Sequence, residues 1–170
     1  GMFGFYFIPG MILEEAGGHR LVNAFYCAVI TLTTVGFGDI CPADPDVVGR
    51  VFILMLCFGG LGFFCGPMMT LTSSWQDSVP GGITTISSLT LALGVGLFST
   101  VEEMSYTEAM HLSIVTGTTI GYGNLTPTTN MGRFGVAVYA LLVINVMSGL
   151  LQPARKYLES FCMEKTRKRQ

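Results

Sequence analysis

A six-residue pattern occurs twice in this chain, and its usable chemistry lies in the backbone. Thr34-Val35-Gly36-Phe37-Gly38-Asp39 returns as Thr119-Ile120-Gly121-Tyr122-Gly123-Asn124, 85 positions further on. A dehydrated monovalent cation needs several oxygen ligands to replace its water. Backbone carbonyls can supply them if successive residues all point the same way, which ordinary strand geometry forbids. Glycine at alternate positions lifts that restriction, because it tolerates φ > 0. The intervening side chains (Val35, Phe37, Ile120, Tyr122) then turn outward and wedge each strip against its surroundings. Thr34 and Thr119 add a hydroxyl at the inner end, and Asp39 and Asn124 stand at the outer mouth.

The flanking sequence supplies the elements that must hold these strips. A further threonine (Thr33, Thr118) and an apolar run precede each copy, and an apolar-X-proline follows (Ile40-Cys41-Pro42, Leu125-Thr126-Pro127). A Gly-Arg pair (Gly49-Arg50, Gly132-Arg133) then opens a long hydrophobic segment in both halves. The runs at 21–33 and 106–118 are shorter than the roughly 20 residues that cross a bilayer, so they predict re-entrant helices. Irregular backbone such as Gly36-Phe37-Gly38 survives at membrane depth only where protein or a water-filled cavity covers it. Residues 48–73, 82–101 and 131–151 predict spanning helices. Residues 2–13 are apolar but too few to span, which predicts a first span that lacks its start.

The expected fold is therefore an all-α membrane protein of two tandem units, each span, re-entrant helix, strip, span. The units are 1–76 (strip 34–39) and 77–153 (strip 119–124), and a basic tail follows at 154–170.

Composition agrees. Of 170 residues, 50% are hydrophobic and 12% charged, which excludes an ordinary soluble domain. Twenty-two glycines suit membrane helices packed through small residues. Acidic residues gather on one side (Glu14, Glu15, Asp39, Asp44, Asp46, Glu102, Glu103, Glu108). Basic ones gather in the tail (Arg155, Lys156, Lys165, Arg167, Lys168, Arg169), which the positive-inside rule puts in the cytosol. The predicted span interiors carry no Asp, Glu, His, Lys or Arg, as a proton-coupled transporter or membrane enzyme would need. Ser and His occur without a spaced base and orienting partner, so no catalytic residues, enzyme activity or cofactor is expected. Nothing points to nucleic acid.

The segment Asn23 to Asp39, and again Ser113 to Pro127, resembles the pore loops of the two-pore-domain potassium channels. The span order and both Gly-Arg pairs extend the resemblance over nearly the whole chain. It implies that K+ is the permeant ion, coordinated by carbonyls of four loops that replace its hydration shell. It also implies a dimer, since each chain carries two strips, with two-fold and only approximately four-fold symmetry. The short stretch Glu14 to Arg20, where animal members carry a long cap, is more like plant or algal members. Phe37 lacks the hydroxyl of Tyr122, and Asn124 replaces an aspartate. By position after the Gly-Arg pair, Gly60 corresponds to the family's hinge glycine, Val143 takes that place in the second half, and Gly149 comes later.

No predicted span carries arginines at every third position, which favours background or ligand-modulated conduction over voltage sensing. A weakly selective cation channel or a non-conducting subunit is the alternative, should the unequal strips pair badly. Several side chains keep two readings. His111 is a proton sensor or a helix-start residue hydrogen-bonded behind the strip. Asn145 faces the cavity or bonds between helices. Cys41 is a free thiol or a bridge between subunits. Lys165 to Arg169 binds anionic lipid heads or simply flanks the last span.

Overall fold

A computed structural model describes residues 1–12, 17–40, 42, 45–65 and 82–150. Cys41, residues 66–81, the tail at 154–170 with its basic run, the Asn145 side chain and the surroundings of Gly149 lie outside the described residues. The described chain is helical, without strands. Its order is α1 (Met2–Phe7), α2 (Arg20–Leu32), α3 (Val47–Cys65), α4 (Gly82–Val101), α5 (Tyr106–Gly117) and α6 (Asn130–Leu150).

Helix starts follow from side chains that satisfy free backbone donors. Asp46 Oδ1 accepts from the Gly49 N–H at 2.8 Å at the head of α3, and Thr129 Oγ1 accepts from the Gly132 N–H at 2.9 Å at the head of α6. Helix α5 opens on a reciprocal capping box. The Ser105 hydroxyl accepts from the Glu108 N–H, and the Ser105 N–H donates to Glu108 Oε2 at 3.0 Å. Those Ser105 hydrogen bonds hold the exposed Glu108 carboxyl below its ordinary value. Helix α4 ends where Glu103 turns left-handed, at φ 54°. The Glu102 carboxylate then takes hydrogen bonds from the N–H and hydroxyl groups of Thr128 and Thr129.

Among the described residues, one helix is long and apolar enough to cross a membrane by length and composition, over Thr84–Val101. The apolar stretches at Val47–Gly60 and Asn130–Ile144 are shorter, and they lie within the helices Val47–Cys65 and Asn130–Leu150. Helix α4 packs on α5 and α6, and Gly94 makes that possible. An added Cβ there would meet the Tyr139 ring and Ser113 Oγ at 2.6 and 2.7 Å. Phe98 and Tyr139 meet edge to face, with ring centroids 5.2 Å apart.

Helix α2 is the buried centre of its half. It packs against α1, α3 and α6, and Asn23, Ala24 and Tyr26 to Ile30 are buried. Gly60 of α3 passes directly beneath its last turn, since an added Cβ would stand 2.6 Å from the Leu32 carbonyl oxygen. Position 60 thus has a packing reason to be glycine beside the hinge role that the sequence suggests. The contact of α2 with α6 joins the two halves. Phe25 stacks on Phe134, with centroids 5.5 Å apart. The Arg133 guanidinium donates through one nitrogen to Asn23 Oδ1 at 2.8 Å and to the Gly17 carbonyl at 2.9 Å.

Candidate functional site

The two glycine strips leave their helices by the same backbone path. After Thr33, the N–H groups of Val35 and Gly36 both turn back to the Ile30 carbonyl, at 3.1 and 3.3 Å. After Thr118, those of Ile120 and Gly121 turn back to the Val115 carbonyl, at 3.1 and 3.4 Å. Thr33 and Thr118 return their hydroxyls to Val29 and Ile114 of the helix. Thr34 and Thr119 have no such bond among the described residues.

Every second residue of each strip is left-handed. Thr34, Gly36 and Gly38 have φ of 60°, 55° and 81°, and Thr119, Gly121 and Gly123 have φ of 57°, 56° and 72°. Val35, Phe37, Ile120 and Tyr122 are not left-handed. A backbone that alternates in this way can turn successive carbonyls to one side in place of alternating. Glycine takes the conformation freely. Threonine, which is β-branched, takes it at a cost of about 1–2 kcal/mol, so the helix must impose it at Thr34 and Thr119. Strain of this kind collects at functional sites.

The strips lie side by side in register. An added Cβ on Gly121 would overlap the Val35 carbonyl oxygen, and one on Gly123 the Phe37 carbonyl oxygen. Gly36 and Gly38, the equivalent positions of the first strip, meet nothing within 4 Å. The outward side chains are unequal as well. Val35 and Phe37 are buried at 3% and 6% exposure, whereas Ile120 and Tyr122 are 51% and 69% exposed. One strip is sealed within the chain and the other is not.

The mouths also differ. The Tyr26 hydroxyl donates to Asp39 Oδ2 at 3.0 Å, and the Cys27 thiol donates to the Ile40 carbonyl at 3.3 Å. Burial, and then the Asp39 charge, pushes the Tyr26 phenol far above its ordinary value, so it stays a donor. In the second half His111 takes the place of Tyr26 and Asn124 that of Asp39, and no hydrogen bond joins them among the described residues. The His111 ring instead stacks on Tyr122, with centroids 6.4 Å apart, and its Nδ1 is buried without a partner. His111 therefore sits behind the strip, beside the wedge residue.

Of the residues that the sequence points to, Gly121 and Gly123 stand against Val35 and Phe37 of the first strip, and Gly60 lies under the last turn of α2 against Leu32. Tyr26, Cys27 and Arg133 were not singled out from sequence as supports of the site. The signal for Tyr26 is its alignment with His111, which puts a polar ring at the same place behind each strip. Among the described residues no group of three His, Cys, Asp or Glu side chains gathers to hold a metal ion.

The family described as "Ion channel" matches the chain twice, over residues 1–76 and 85–160. The chain is 26% identical over 164 residues to "Two-pore potassium channel 5" of Arabidopsis thaliana, covering 73% of this chain and 40% of that protein. It is 27% identical over 176 residues to "Potassium channel subfamily K member 17" of Homo sapiens, covering 82% and 52%. A shorter match, 32% over 77 residues, joins 45% of it to 22% of "Probable potassium channel protein 2" of Methanocaldococcus jannaschii. The chain thus spans about half or less of the length of these relatives. Such relatives are membrane proteins and channels, not enzymes. With one ion-channel family matching both halves, and relatives named as two-pore potassium channels, this chain belongs to the two-pore-domain potassium channel family.

Proposed function

We propose that the chain supplies half of a potassium-selective pore, closed by a second copy of itself, through which K+ passes down its gradient. One observation carries this reading. Gly121 and Gly123 are faced by carbonyls of the first strip, while Gly36 and Gly38 face open space. If each strip sets its glycines against its neighbour's carbonyls, two strips make an open half-ring with one unfilled edge. A second copy, turned about a two-fold axis, fills that edge with its own strip 119–124. It also covers Ile120 and Tyr122, the outward side chains that a single chain leaves exposed. Four strips then surround one axis, and their aligned carbonyls replace the water of a monovalent cation.

In this reading the strips at 34–38 and 119–123 are the K+ sites. The two units, 1–76 and 77–153, are tandem pore repeats in a multi-pass membrane protein, and the basic tail lies against the cytosolic leaflet. Conduction is of the background or ligand-modulated kind.

The test is K+ against Na+ flux through the reconstituted protein, with Gly36→Glu as control. A strong K+ preference that the substitution abolishes is the expected result. Normal conduction by the Gly36→Glu protein would reject the filter. The unequal strips, with Phe37 opposite Tyr122 in sequence and a braced mouth in one half only, favour one second reading, a weakly selective or silent subunit. Reversal potentials near zero under K+/Na+ exchange, or no current from a folded dimer, would establish it.

A further inference from the structure

The contact that joins the two halves within one chain has a counterpart that is not made among the described residues. Arg133, at the head of α6, reaches back to Asn23 of the preceding half at 2.8 Å, and Phe134 beside it stacks on Phe25. Advancing each residue by one half carries Asn23 to Glu108 and Phe25 to Met110, by the spacing of the strips. It carries Arg133 to Arg50 and Phe134 to Val51, by the spacing of the Gly-Arg pairs.

Among the described residues none of these four positions makes its counterpart's contact. Arg50 is exposed and sends its Nε–H to the Pro45 carbonyl at 3.1 Å. Glu108 is exposed, and its hydrogen bonds lie within its own capping box, where Oε2 takes the side-chain and backbone donors of Ser105. Val51 and Met110 are exposed apolar side chains.

Resting on the dimer proposed above, we infer that Arg50 forms an ion pair with Glu108 of the partner subunit, with Val51 packed on Met110 of the partner subunit. The turn that sets the open edge at Gly36 and Gly38 against the partner's second strip brings these groups together. Charge agrees with this placement. The acceptor inside the chain is the neutral Asn23, whereas the acceptor at the matching position is a carboxylate, facing an arginine that lacks a carboxylate partner among the described residues. Glu108 can serve both purposes, because its capping bonds use Oε2 and leave Oε1 for the guanidinium. The ring is then fastened by two neutral clamps within chains and two charged clamps between them.

The capping box makes a clean test possible, since glutamine preserves it while removing the charge. Dimer dissociation is measured by detergent titration for the wild-type chain, Arg50→Gln, Glu108→Gln and the double variant. Each single change is expected to weaken the dimer about two- to five-fold, as for a solvent-accessible pair, and the double variant no further than either. In a chain whose native cysteines are replaced by serine, Arg50→Cys with Glu108→Cys is expected to yield an oxidised cross-link between copies. A wild-type dimer whose single changes have no effect or simply add, and which gives no cross-link, overturns the ion pair and leaves the dimer standing. A wild-type chain that stays monomeric while conducting K+ overturns both.

Discussion

The Tyr26 hydroxyl holds Asp39 at 3.0 Å, which ties the middle of α2 to the outer end of the first strip. A hydrogen bond to a charged acceptor is worth about 1.5–3 kcal/mol, and partial exposure of this one favours the lower figure. Tyr26→Phe keeps the ring and its packing but drops the bond. The expected outcome is about a ten-fold fall in the ratio of conducting to non-conducting filters, read as single-channel open probability. Asp39→Asn should shift it the same way. If Tyr26→Phe channels open as often as wild type, the brace does not hold the mouth.

Gly121 is constrained twice over. Its φ of 56° is left-handed, which costs an L side chain about 1–2 kcal/mol, and a Cβ there would overlap the Val35 carbonyl oxygen. Gly96 of α4 is neither left-handed nor crowded, with nothing within 4 Å of an added Cβ. Gly121→Ala should therefore abolish K+ flux while the protein still inserts and keeps its helical circular dichroism. Gly96→Ala should leave the flux unchanged. Equal flux through the two variants would mean that the close approach of the strips is not needed for conduction.

How much of this could be read from residues alone depended on how local each cause is. The strips were legible because alternate glycines act on their own peptide planes, within a few residues. The capping box at Ser105 and Glu108 was equally available, as a Ser-x-x-Glu ahead of an apolar run. The grip of Arg133 on Asn23, across 110 positions, was not, since sequence gave only a repeated Gly-Arg pair. The inequality of the strips was half visible. Phe37 and Asn124 announced it, but burial of Val35 and Phe37 beside exposed Ile120 and Tyr122 depends on what packs behind each strip. Gly60 has two reasons to be glycine and sequence pointed to one, because its place in the pattern suggests a hinge while the closeness of the Leu32 carbonyl depends on how α3 crosses α2.

Arg133 places one guanidinium nitrogen between two acceptors on the other half of the chain, Asn23 Oδ1 and the Gly17 carbonyl. A lysine ammonium ends one bond short of that nitrogen, at the position of the guanidinium carbon, and so does not reach both acceptors. Arg133→Lys should destabilise the folded chain by about 1–3 kcal/mol, the usual cost of leaving a buried polar partner unsatisfied. Arg133→Met should cost no less. Thermal unfolding in lipid nanodiscs checks both. An unchanged midpoint for Arg133→Lys would mean that the charge alone suffices and the longer reach of arginine is irrelevant.

Glu102 gives the fold an acid limit. Partial burial raises its carboxyl, but the hydrogen bonds from Thr129 and Thr128 together outweigh this and hold it below its ordinary value. Its folded pKa is therefore lower than its unfolded one. The stabilisation is complete above the ordinary carboxylate value of about 4.3 and is lost as pH falls through the lowered folded value. The carboxylate ties the end of α4 to the head of α6, where Thr129 also caps the helix. Only pH in or below the carboxylate range should thus loosen the α4–α6 junction. Unfolding midpoints measured from about pH 7 down to pH 3 should be flat for the wild type until the carboxylate range, then fall. Glu102→Gln should start lower at pH 7 and show a shallower fall, because glutamine has no proton to take up. Parallel curves for the two proteins would assign the acid sensitivity to other carboxylates.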